Sequence, residues 1–178
     1  SLGGVGVVGG GFFLTLAYNK KKESNVIIST SNYQDIRHQN WSNQVLINHF
    51  PAIIPSEAKD ARVIFYPGSP EYGQIFQLRM KLPEEQIKES LNKYRDIAKY
   101  KFKGGDTNDH SNQENGVPTT FLYTNDLKAE SFPSTYEILV LNANNHSTSD
   151  DFSWNHGNSY GVAINSNTSE IVYWAEEW

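Results

Sequence analysis

Hydrophobic and polar positions change period several times along the chain. Leu2–Tyr18 is an uncharged run of 17 residues closed by Lys20, Lys21 and Lys22. That length sits at the lower limit for a membrane-spanning helix. Residues 19–44 are polar and rich in Asn, Ser and Gln, with one apolar burst at Val26-Ile27-Ile28, and they read as a linker with short elements. A short helix is expected near Asn43–His49, ended by the turns Phe50-Pro51 and Ile54-Pro55, because proline biases the residue before it away from helix. Ala61–Tyr66 reads as a strand, and Pro67-Gly68-Ser69-Pro70 as a turn. Gly73–Leu82 then alternates, with Ile75, Gln77 and Arg79 on one face and Phe76, Leu78 and Met80 on the other. This is the period of a half-buried strand, paired with the preceding one as a hairpin.

The period then changes to that of a helix. Pro83 suits a first helical turn and Glu84-Glu85 suit its positive end. Ile87, Leu91, Tyr94 and Ala98 carry the helical spacing, Lys99, Lys101 and Lys103 fall at or beyond its end, and Gly104-Gly105 stops it. Residues 104–116 read as a polar loop. Three more strands are expected at Thr119–Tyr123, Tyr136–Leu141 and Ser159–Ile164, the last turning through Asn165-Ser166-Asn167-Thr168 into Glu170–Trp174 as a hairpin. Hairpins around a single helix imply an α+β domain over residues 45–178. Its antiparallel sheet has one main helix packed on one face, preceded by the N-terminal hydrophobic helix of residues 1–18.

Composition narrows the class. With 178 residues the chain has the length of one domain. Apolar residues at 38% supply one core and exclude wholesale disorder. The net charge of −5 argues against nucleic acid as a partner, since such binding needs a basic surface. The charge is uneven: residues 79–103 carry a net +4, a solvated helix face, and residues 104–178 a net −10. Absence of cysteine removes disulfides, thiolate metal sites and thiol catalysis. The run Leu2–Tyr18 contains six glycines, among them Gly6 and Gly10 at the spacing of a close helix contact in lipid. It is read as an uncleaved anchor or export segment, so the membrane is a partner through residues 2–18. Its orientation stays open: the three lysines favour a cytoplasmic domain, whereas basic residues ahead of Ser1 would place the domain outside.

Candidate chemistry concentrates toward the C-terminus. Trp154, His156, Tyr160, Trp174, Glu176, Glu177 and Trp178 combine aromatic rings with carboxylates. Rings stack on sugar faces or cations and carboxylates accept hydrogen bonds, so the set suits a ligand-binding surface. The competing reading puts Tyr173 and Trp174 in the core with the acids merely solvated. His156 with Asp150, Asp151, Glu176 or Glu177 is a weaker candidate for general acid–base catalysis, unaccompanied by a nucleophile motif. Asp106, Asn108, Asp109, Ser111 and Glu114 are weak candidates for calcium, but their spacing departs from the twelve-residue calcium loop. His38, His49, His110, His146 and His156 contain no i, i+4 pair for a helix-borne metal. No cofactor is expected.

His49-Phe50-Pro51 with Ile54-Pro55, Val63–Gly68, Gln77-Leu78-Arg79, Trp154–Gly157, Tyr160–Ile164 and Glu170–Trp178 together resemble a family of uncharacterised small bacterial proteins. The resemblance spans roughly residues 45–178 and implies an N-terminal membrane or export segment and a C-terminal hairpin; it brings no activity and no catalytic residues. The expected function is a membrane-anchored or exported binding domain without evident catalysis, whose partner is a protein or an envelope polymer. A small hydrolase using His156 and a structural membrane-assembly subunit are the alternatives.

Overall fold

The computed structural model describes residues 26–41, 43–68, 73–105, 117, 119–124, 130–145 and 157–177. The expected N-terminal hydrophobic helix lies outside them. No helix among the described residues is long and apolar enough to cross a membrane.

Six strands form one antiparallel sheet: β1 Lys59–Tyr66, β2 Gln74–Lys81, β3 Tyr100–Lys103, β4 Glu137–Asn145, β5 Gly157–Asn165 and β6 Glu170–Glu177. Their order is β1-β2-β6-β5-β4-β3. The helix α1, Glu84–Ile97, carries the chain from β2 to β3 at the far edge. Both expected hairpins are present. β1 and β2 pair through Phe65–Phe76 and Ile64–Gln77, and β5 and β6 through Val162–Tyr173 and Gly161–Trp174. The second hairpin turns on Asn165, whose Oδ1 accepts the Asn167 and Thr168 amides at 3.0 and 3.4 Å. Ser169 takes the left-handed conformation there, at φ 54°.

The sheet is covered on both faces, so β2 is buried along consecutive residues Ile75–Leu78 rather than half-buried. On the first face lie α1, through Ile87, Leu91 and Tyr94, and an N-terminal arm. The arm contributes Tyr33, Ile36 and Trp41, fully buried although they fall in the stretch read as linker. Phe50 stacks on Phe76 of β2 at 4.4 Å between centroids, an arrangement worth about 1 kcal/mol beyond area burial. The short helix expected near Asn43–His49 is a single 3-10 turn, Gln44–Ile47.

Covering the second face is irregular chain, residues 119–124 and 130–136. Thr119–Tyr123 is not a strand of the sheet; Leu122 only bridges Glu130. The reason is Gln77, which faces this chain from β2. Its Nε2 donates to the Phe121 carbonyl at 2.8 Å, and its Oε1 accepts from the Tyr123 and Thr124 amides and the Thr124 hydroxyl at 3.0, 3.2 and 3.1 Å. One side-chain amide thus satisfies backbone groups that a neighbouring strand would otherwise pair.

Two boundaries differ from the sequence pattern. α1 ends at Ile97, with Ala98 extended, and β3 follows. Tyr100 and Phe102 turn toward the second core while Lys101 and Lys103 are exposed, a strand period within what read as a helix end. Gly104 therefore terminates β3, not α1. A Cβ there would lie 2.0 Å from the Pro133 carbonyl oxygen, so only glycine passes.

Candidate functional site

β6 organises the described part of the candidate site, because its alternation sends successive side chains to opposite faces. Val172, Trp174 and Glu176 face the irregular cover. Tyr173, Ala175 and Glu177 face α1 and the arm. The aromatic–acidic set therefore splits across the sheet and forms no single surface.

Trp174 is 0% exposed. Its ring lies over Gly161 of β5, where a Cβ would sit 2.7 Å from the ring edge, and its Nε1 donates to the Ser159 hydroxyl at 3.3 Å. The tryptophan serves the second core, with Phe132 and Tyr136 in the same cluster. Glu176 is 4% exposed, so it is not a solvated acid either. It stands opposite Ser159 of β5 and Ile75 of β2. The Thr120 hydroxyl donates to its Oε1. The Tyr123 hydroxyl neighbours the same carboxyl and, with Thr120, favours its charged form. Burial pushes Glu176 up to about 7, against the opposing pull of Thr120 and Tyr123.

Tyr160 and Glu177 remain on the other face, both half-buried. Tyr160 pairs with Ala175 and Asn158 with Glu177, so Tyr160 and Glu177 are diagonal neighbours on one face. Amides surround them. Asn43 Nδ2 donates to Glu177 Oε1 and Asn144 Nδ2 to Asn158 Oδ1, each at 3.4 Å, and Lys99 donates to Asn142 Oδ1 at 2.9 Å. The Tyr160 ring rests 5.5 Å from that of His49. The result is a rim of one tyrosine, one carboxylate and several amides at the end of the sheet where β4 ends and β5 begins.

His49, absent from the ligand-binding candidates, ties this rim to the core. Its Nε2 lies 2.9 Å from the Gly161 carbonyl oxygen, which only accepts, so Nε2 carries the hydrogen. Nδ1 is then a buried lone pair with no partner among the described residues. Burial lowers His49 to about 4, with Arg37 and Lys93 adding to the effect, and the ring is neutral at pH 7. The sequence signal was weak: its partner lies 112 residues away.

An ion pair closes the opposite end of the face covered by residues 119–124 and 130–136. Arg79 Nε donates to Glu170 Oε2 at 2.6 Å. Burial opposes ionisation of Glu170, but the Arg79 and Thr168 hydrogen bonds and the Arg79 charge hold it below the usual carboxylate range.

Trp154, His156, Trp178, Asp150 and Asp151 lie outside the described residues, as do the calcium candidates Asp106, Asn108, Asp109, Ser111 and Glu114. Among the described residues no three His, Asp or Glu side chains gather as a metal site would require. Comparison with protein-family models, curated proteins and solved structures finds no match to the chain.

Proposed function

We propose that the chain is a membrane-anchored or exported binding domain, and that it reads a polar envelope polymer, of glycan type, at the rim of Tyr160 and Glu177. One observation carries the reading: of the described aromatic–acidic candidates, Trp174 and Glu176 are enclosed, whereas Tyr160 and Glu177 reach solvent as diagonal neighbours among Asn43, Asn144 and Asn158. An aromatic face with planar amide and carboxylate groups matches the alternating apolar faces and hydroxyls of a sugar. The tether is residues 2–18, and the domain belongs on the extracytoplasmic side, where such polymers lie.

The test is a binding screen of envelope polysaccharides against the full chain in detergent. Tyr160→Ala and Glu177→Gln are each expected to weaken binding at least tenfold, and Glu177→Gln to do so while the urea midpoint stays in place. Unchanged binding in both variants refutes the assignment of the rim. Protease accessibility of a C-terminal tag on intact cells checks the side of the membrane; protection of the tag until lysis would redirect the search to a cytoplasmic protein partner.

A further inference from the structure

We propose that residues 119–124 form a proton-gated strap, closed over the sheet while Glu176 holds its proton and released when Glu176 gives it up. Besides Arg62 at its Thr124 end, the strap is met by two further side chains of the sheet. The first is the Gln77 amide, with its four hydrogen bonds to Phe121, Tyr123 and Thr124. The second is Glu176, bonded to Thr120. Between them Phe121 and Tyr123 pack on Ile64, Tyr66 and Ile75. Gln77 does not titrate, and the Thr120 hydroxyl can donate to either form of the Glu176 carboxyl; the proton on Glu176 therefore acts through the cost of enclosing its charge beneath the strap, where the residue is 4% exposed.

The surroundings of Glu176 make its ionised form costly only while the strap is shut. Ser159 faces it from β5, Ile75 from β2, and Thr120 and Tyr123 from the strap. Gln77 is the next residue along this face of β2, and Trp174 the next along β6. No described cation is among the groups that set its titration. Arg62 of β1 acts at the far end of the strap, where its guanidinium donates to the Thr124 carbonyl at 3.4 Å. A carboxylate there is shut away from water with only the Thr120 and Tyr123 hydroxyls to face it, which is a poor exchange for hydration. Lifting the strap returns water to the carboxylate and uncovers the apolar patch of Phe121, Tyr123 and Ile75.

The sign follows from linkage. The closed state holds the proton to about 7, while an open, hydrated carboxyl returns toward the ordinary 4.5. Rising pH therefore favours the open strap, and the opening constant grows ~70-fold from pH 5 to pH 8, by proton linkage across those two values.

Hydrogen exchange on the full chain in detergent reads this directly. After correction for intrinsic exchange, protection of the Tyr123 and Thr124 amides is expected to fall ~70-fold from pH 5 to pH 8, while the β5–β6 amides of Val162 and Tyr173 hold theirs. In Glu176→Gln the strap protection should be flat with pH. A flat wild-type profile, or the same fall in Glu176→Gln, overturns the proposal. Should that variant fail to fold, the Glu176 carboxyl carbon resonance in the wild type decides. A midpoint that coincides with the strap transition supports the gate, and a midpoint near 4.5 overturns it.

Discussion

Two titratable groups on opposite faces of the sheet, half-buried His49 and buried Glu176, bias stability in opposite directions with pH, and their near-cancellation is testable. His49 falls from an ordinary 6.5 to about 4 on folding. The unfolded chain binds that proton more readily, so the contribution of neutral His49 is fully present above 6.5 and is lost as pH falls toward 4. Glu176 moves the other way, from 4.5 to about 7. Its protonated form contributes fully below 4.5, and that contribution is lost as pH rises through 7. Each displacement corresponds to roughly 3 kcal/mol, at about 1.4 kcal/mol per tenfold change in proton affinity. Between pH 4.5 and 6.5 one group gains what the other loses. Removing either unmasks its opponent. Relative to wild type, Glu176→Gln is expected to gain roughly 3 kcal/mol of stability as pH rises from 4.5 to above 7. His49→Gln, whose amide can still donate to the Gly161 carbonyl, is expected to gain a similar amount as pH falls from 6.5 to 4. Urea denaturation at half-unit pH steps measures both. Glu170 and Glu137 lie below the ordinary carboxylate range, and any group common to wild type and variant drops out of the difference. Difference curves that stay flat within about 0.5 kcal/mol across the window would refute the assignment, since the shifts demand several times that.

Gly161→Ala should destabilise the domain by about 3 kcal/mol, at the upper end for an overpacked core: the new methyl would sit 2.3 Å from the Leu139 carbonyl oxygen of β4 and 2.7 Å from the Trp174 ring. For a domain of this size that is about 6–12 °C in melting temperature, and a shift below 2 °C would show that β4 and β5 part freely. Trp174→Ala should cost about 3–5 kcal/mol in urea denaturation, as for other buried tryptophans. Loss of ligand binding with unchanged stability would instead return Trp174 to a recognition role.

The elements legible in the sequence are those whose pattern is local. The β5–β6 hairpin announces itself by alternation and by Asn165, which caps its own turn within three residues. α1 is legible from Ile87, Leu91 and Tyr94 at helical spacing. The cover of the second face is a different matter. Thr119–Tyr123 has the β-branched and aromatic composition of a strand, yet its backbone is taken by the Gln77 side chain more than 40 residues earlier. Nothing local distinguishes a buried Gln77 from one facing water. The same gap in sequence governs the site. Whether Trp174 and Glu176 meet solvent depends on a segment whose Thr120 lies 56 residues away from Glu176. In the arm, Tyr33, Ile36 and Trp41 are apolar islands in a polar stretch, too sparse to give a period, although each is fully buried.

The unequal covers of the sheet explain where its polar groups sit. α1 pairs its own backbone, so against the helix only apolar contact is needed, and Ile87, Leu91 and Tyr94 supply it, while the irregular arm beside it brings His49 to the Gly161 carbonyl. The strap has no helix or full ladder of its own, and its amides and carbonyls must be met by side chains from the sheet. Gln77 does so at the centre and Arg62 at the Thr124 end, with the Glu176 carboxyl taking the Thr120 hydroxyl. An irregular cover thus brings buried polar residues with it, and one of them, Glu176, titrates close to neutrality. On the helix face the cover gives out at the end of β6, leaving Tyr160 and Glu177 half-open beside Asn158. Neighbouring residues of one strand, Glu176 and Glu177, are in this way assigned different work: the first is enclosed against Thr120 of the strap, and the second reaches solvent at the rim.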